Sequence, residues 1–212
     1  KKFGTKSAFV IDAELEGGET KTFDFRMSPH KMENAFFDFD EVFEVRKKES
    51  DEFYDEIQKD FNCEDEKNVQ RQAFAGLLWN KQFYHYKVGK WLNGDPNFPV
   101  ERNFEHHVRN VEWKHMNCKD IISMPDKWEY PWFATWDLAF HCVSFSILDP
   151  DFAKNQLQLL TKEWYMHPNG QLPAYEWDFS DVNPPVHAWS TFRVFKIDEK
   201  IKGKPDLAFL ES

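Results

Sequence analysis

Asp137 lies in the run WEYPWFATWDLAFH, residues 128–141, surrounded by Trp128, Tyr130, Trp132, Phe133, Trp136 and Phe140. A carboxylate among aromatic side chains is costly to desolvate unless a polar group satisfies it. Sugar recognition uses both residue types. Flat aromatic surfaces meet the C–H faces of a pyranose, and carboxylates or amides meet its rim of hydroxyls. PAYEW, residues 173–177, offers the same pairing in Tyr175, Glu176 and Trp177. Seven of the nine Trp fall between positions 113 and 189, mostly outside clear helical periods, a distribution that favours a binding cleft over a core. Asp137 also fits as the cap of a helix beginning at Leu138, and the two roles are compatible.

The elements that must position these residues follow from periodicity. Phe9, Ile11, Ala13 and Leu15 alternate before EGGE, and Phe23, Phe25 and Met27 alternate after it, which predicts a β-hairpin about a Gly-Gly turn. A lone hairpin is barely stable in water, so it is expected to belong to a sheet completed upstream. The period then turns helical. Phe39, Val42, Phe43, Arg46, Phe53 and Ile57 define one helix. Val69, Ala73, Leu77, Tyr84, Val88 and Trp91 predict a second, long one, stopped by Asn93-Gly94. Residues 95–130 show no sustained period and read as a long functional loop. Helix resumes from Asp137 to about Leu148. Another is expected from Asp149 as cap and Pro150 at the first helical position to the stop PNG, residues 168–170. A helix from about Pro185 to Lys202, closed by Gly203, and the first turn of one more complete the pattern. The chain thus reads as a strand remnant followed by helices and long Trp-bearing loops, truncated at both ends.

Composition excludes several classes. The 212 residues carry a net charge of −10, and residues 38–66 hold 13 acids against 4 bases, a run best read as a solvated helix face. With no basic stripe, nucleic acid and anionic lipid are not expected partners. Three scattered cysteines, Cys63, Cys118 and Cys142, and the absence of any N-x-Ser/Thr sequon point to reduced thiols and a cytoplasmic setting. LAFHCVSFSIL is too short to span a bilayer. GKWLNGD has P-loop glycine spacing but Asp95 where the lysine must stand. His106, His107, His115 and Cys118 match no familiar zinc spacing, so no metal or other cofactor is expected.

Three blocks carry a resemblance: VQRQAFAGLLWNKQFY, DIISMPDKWEYPWFATWDLAFH and EWYMHPNGQLPAYEWDFSDVNPPVHAW. They resemble the glycoside hydrolase family 63 group, which includes glucosidase-like members and relatives that hydrolyse mannosylglycerate. The likeness runs from about Asn68 to the C-terminus. It implies a mainly α fold, part of an (α/α)6 barrel, preceded by the hairpin as the remnant of a β-rich domain. The corresponding division is residues 1–30 for the β-rich end, 31–66 for a linker helix and 67–212 for the first part of the barrel.

The resemblance also implies hydrolysis of an α-glycoside with inversion, by an acid and a base about 6.5–9.5 Å apart. By the same likeness Asp137 accepts sugar hydroxyls in the −1 subsite and Trp132 and Trp136 wall it. Tyr175, Glu176, Trp177 and Asn183 are loop contacts. Lys127, Trp128 and His187 are further candidates, with packing the expected role for at least one of them. The catalytic acid and base are expected beyond Ser212, in blocks this span does not contain. Two alternatives stand beside this: Asp137 as acid with Glu176 as base, or a carbohydrate-binding remnant without turnover. Glucosides, glucosylglycerate, mannosylglycerate and α-linked oligosaccharides all fit such a pocket.

Overall fold

The alternating residues 8–27 do not build the expected hairpin. In the computed structural model, which describes residues 8–94, 111–129, 132–175 and 183–212 (the side chain of Glu112 excepted), this stretch forms no strand. A turn closes where predicted, with the Glu19 N–H donating to the Glu16 carbonyl at 3.0 Å and Gly18 at φ 87°. No ladder forms on either side of it, and Phe9, Val10 and Met27 are almost wholly exposed. The physical reason is the one that makes isolated hairpins marginal: two strands without a third, or a packed layer, bury too little to fix their backbones.

The chain divides into two compact units, Lys1–Glu52 and Phe53–Ser212. In the first, Arg26 donates to the Ala35 carbonyl at 2.6 Å and forms a two-pronged ion pair with Asp38. Helix α1 (Phe39–Ile57) then begins as its apolar period requires. Its acidic run is a solvated face laced by ion pairs one turn apart, such as Lys47 with Glu44 at 3.1 Å and Arg46 with Glu49 at 2.6 Å.

The second unit is helical around one small antiparallel sheet. Helix α2 (Glu64–Trp79) is followed by strand β1 (Lys81–Lys87) and the short helix α3 (Val88–Asn93), so the long helix predicted through residue 93 is broken in two places. Helix α2 stops at Asn80, whose N–H bonds the Leu77 carbonyl. Gln82 to Lys87 then extend, because they find a partner in β2 (Asn117–Ser123), in a register that sets Lys81 opposite Ser123 and Lys87 opposite Asn117. The aromatics Phe83, Tyr84 and Tyr86 suit a pleated, half-buried surface. The stretch expected to be a loop therefore contains a strand, and a 3-10 turn at Val111–Trp113 precedes it.

Helix α4 (Thr135–Leu148) packs on β2 and against both α5 (Pro150–Leu160) and α6 (Val186–Lys202), which also touch each other; the short α7 (Leu207–Glu211) follows. Asp149 caps α5 by accepting the Phe152 N–H at 3.0 Å, with Pro150 at the first helical position. Helix α5 ends at Leu160 rather than at PNG, and Gly203, at φ 70°, closes α6. The core joins Leu138, Ala139, Cys142 and Phe145 of α4 to Leu157 and Leu160 of α5, Val194 of α6, and Cys118 and Ile122 of β2. Trp113 is fully buried in the same cluster, so one of the tryptophans expected around a cleft is a core residue. Cys63 is exposed, whereas Cys118 and Cys142 are buried and in no disulfide; burial pushes the Cys142 thiol up. Between α5 and α6, Lys154 (6% exposed) reaches Asp198 (1% exposed) at 2.5 Å and Asp206, the cap of α7, at 2.6 Å. Among the described residues no helix is long and apolar enough to cross a membrane.

Candidate functional site

Ala134, in extended conformation, precedes the first turn of α4 and forms an isolated antiparallel bridge with Tyr175. Next to it, the Thr135 N–H donates to the Ala174 carbonyl at 3.0 Å and its hydroxyl to the Pro173 carbonyl at 2.6 Å. Those bonds lace the stretch 173–175 to the head of α4. The two aromatic segments singled out in the sequence thus meet through their backbones. Glu176 and Trp177 lie outside the described residues, as do Tyr130, Asp95, His106 and His107.

Asp137 is in the first turn of α4, three residues after the cap position occupied by Ala134, so it is not the N-cap that the sequence suggested. An acid there still complements the helix dipole. Its side chain is half-buried and makes no hydrogen bond or ion pair with the described residues. Beside it Trp136, 41% exposed, meets Phe140 edge-to-face at 6.1 Å, and Phe140 meets Trp189 of α6 at 5.8 Å. Trp132 is half-buried. Phe133 is a core residue, packed against Tyr84 and Tyr165.

The other candidates separate. Asn183 and His187 line a cavity of about 450 Å³ with Gln171, Leu172, Pro184 and Pro185. The Asn183 side-chain oxygen is buried and has no hydrogen-bond partner among the described residues, an orphan that a ligand hydroxyl would satisfy. His187 donates from Nε2 to the Leu157 carbonyl at 2.9 Å. Lys127 lies over the Trp79 ring with 5.8 Å to its centroid. Trp128 is 87% exposed, and its N–H joins that of Glu129 on the Asp126 carboxylate. The structure therefore brings the backbone of residues 173–175 to the head of α4, the helix that carries Trp136 and Asp137, and separately places Asn183 with His187 on one cavity. It does not assemble Lys127 and Trp128 with them. His115 bonds the Met166 carbonyl at 2.6 Å, and Cys118 sits in the core.

Two polar residues near Asp137 were not singled out in the sequence. His141 follows it by four positions on α4, and its Nδ1 lies 2.7 Å from the hydroxyl of Ser123 at the end of β2. Burial holds the His141 imidazole below its ordinary value, while the Asp137 charge pulls the other way. The i, i+4 spacing was the available signal for the first pair; nothing local marks Ser123.

The architecture defines a mainly α protein, with one small antiparallel sheet among the described residues. Over 175 residues, 82% of its length, the chain is 55% identical to the uncharacterized protein YMR196W of Saccharomyces cerevisiae. It spans 16% of that relative's length. No family model and no solved structure matches.

Proposed function

We propose that this chain supplies the sugar-holding wall of an inverting α-glycosidase of the family 63 type, with the catalytic acid and base on other parts of a longer polypeptide. The observation that carries this reading is Asp137, a half-buried carboxylate with no hydrogen-bonding partner among the described residues, in the same first turn of α4 as the exposed Trp136. Carboxylate and ring together present what a pyranose needs, acceptors for hydroxyls next to an apolar plane. The orphaned Asn183 oxygen in its cavity adds a second acceptor. In this reading α4, α5 and α6 belong to a partial (α/α)6 barrel, and the substrate is a glucoside, glucosylglycerate, mannosylglycerate or α-linked oligosaccharide.

The chemistry assigned to these residues is binding. Asp137 accepts hydroxyl hydrogen bonds, Trp132 and Trp136 exclude water from the sugar face, and Tyr175 is held beside them through Ala134. The test is turnover of these α-glycosides by the longer polypeptide, with the anomeric configuration of the first product followed by proton NMR. Inverted product, with Asp137→Asn raising KM by about tenfold or more and lowering kcat less, supports the reading. Equal abolition of turnover by Asp137→Asn and Glu176→Gln would move the acid and base into this span. Saturable binding with no product would make the protein a carbohydrate binder.

A further inference from the structure

We propose that His141 is a positioning residue for Asp137, its proton deciding whether that carboxylate is open to a ligand or drawn into a pair one helical turn along α4. The inference deepens the sugar-site reading and rests on it for the identity of the ligand. The geometry consists of three groups on two elements. Asp137 and His141 share a face of α4. Ser123 of β2 fixes the ring by its hydroxyl, 2.7 Å from Nδ1. Ser123 is itself held: it is buried, and its N–H donates to the Gln156 side-chain oxygen of α5 at 3.1 Å, while the Gln156 amide donates back to the Ile121 carbonyl at 2.9 Å. The imidazole is thus anchored on a braced strand and keeps one further ring nitrogen for interaction with its surroundings.

The charges around the ring are few. Ser123 faces it from β2 and Gln156 stands behind Ser123 from α5, both neutral. Among the described groups Asp137 is the one charge that acts on the imidazole appreciably. With burial opposing protonation, the ring is neutral at neutral pH and Asp137 keeps its oxygens for hydroxyl donors. As pH falls through the His141 midpoint the imidazolium competes for them, so affinity for a hydroxylic ligand falls on the acid side. A histidine that merely ties α4 to β2 would feel the Asp137 charge but would leave ligand affinity independent of its own protonation.

An NMR titration of the His141 ring, in the chain and in its Asp137→Asn and Asp137→Glu variants, tests the coupling. Removing the charge is expected to lower the His141 midpoint by about half a unit, and glutamate to restore it. An unchanged midpoint in Asp137→Asn overturns the proposal. Tryptophan fluorescence titrated with methyl α-glucopyranoside supplies the second readout. Affinity is expected to weaken about threefold between neutral pH and pH 5, the factor that half a unit carries, and His141→Gln to flatten that dependence. A pH dependence of affinity that persists unaltered in His141→Gln also overturns it. If the glucoside binds nowhere while the midpoint still moves with Asp137, the coupling stands and the sugar reading falls.

Discussion

Lys81 at the head of β1 meets Asp149, the cap of α5, with 2.7 Å between its ammonium and a carboxylate oxygen, and the same ammonium lies 4.0 Å from the centroid of the Phe152 ring. One carboxylate therefore starts a helix and ties it to the sheet. Burial alone would raise the Asp149 carboxyl, but Lys81 and the Phe152 N–H outweigh it and hold it below its ordinary value. Its contribution is full above the unfolded carboxyl value of about 3.9 and is lost as pH falls through the lower folded value. Asp149→Ala is expected to cost about 1–2 kcal/mol in urea unfolding at pH 7, and the gap to the parent to narrow in acid. An equal deficit at pH 7 and pH 3 would contradict this.

Lys154 and Asp198 present a harder case, because both are almost fully buried. Removing Lys154 leaves the buried Asp198 carboxylate with Lys202, at 3.0 Å, in place of two cations. Lys154→Ala is expected to lose about 3–5 kcal/mol, and Lys154→Met, which refills the space, no less so long as Asp198 remains. The double change Lys154→Met with Asp198→Leu should recover much of the loss. Recovery measured by chemical denaturation distinguishes an ionic from a packing origin.

The Tyr165 hydroxyl donates to Asp120 at 2.9 Å, and the Tyr165 ring packs on Phe133. Burial, with Cys118 and Asp120 acting in the same sense, raises the phenol above its ordinary value. Ultraviolet titration in alkali should leave this tyrosine protonated beyond the ordinary range for a phenol. Tyr165→Phe keeps the packing and is expected to cost about 1.5–3 kcal/mol, the range for a hydrogen bond to a charged acceptor.

Asp137 should behave differently from all of these. With no hydrogen bond or ion pair to the described residues, Asp137→Asn is expected to change unfolding stability by less than about 1 kcal/mol, the scale of a dipole contribution at a helix start. Loss of sugar affinity without loss of stability would mark a residue kept for binding. A deficit of several kcal/mol would mark a structural one.

How far these features could be read in the sequence depends on where their causes lie. Helix α1, the Asp149-Pro150 start of α5 and the Gly203 close of α6 are written in neighbouring residues, and each is found where its local signal put it. Strand β1 is not. Tyr84 and Val88 continue a helical spacing from Leu77, and what overrides it is pairing with β2, beyond residues 95–110. The alternation across residues 8–27 failed in the opposite way, a sound local pattern without the long-range partner it needs. The site divides similarly. Trp136 and Asp137 stand out by composition, whereas the Ala134–Tyr175 bridge and the Ser123 bond to His141 exist only once the strand and helices have packed.

The three thiols have a practical consequence. Cys118 and Cys142 are enclosed in the core, and the raised Cys142 thiol resists ionisation, while Cys63 is exposed at the residue preceding α2. A maleimide dye added to the native chain should therefore attach at one address. Incorporation of a second and third equivalent would then report the opening of the core in real time. The unaltered sequence thus carries its own calibrated reporter of unfolding, with no cysteine to add or remove.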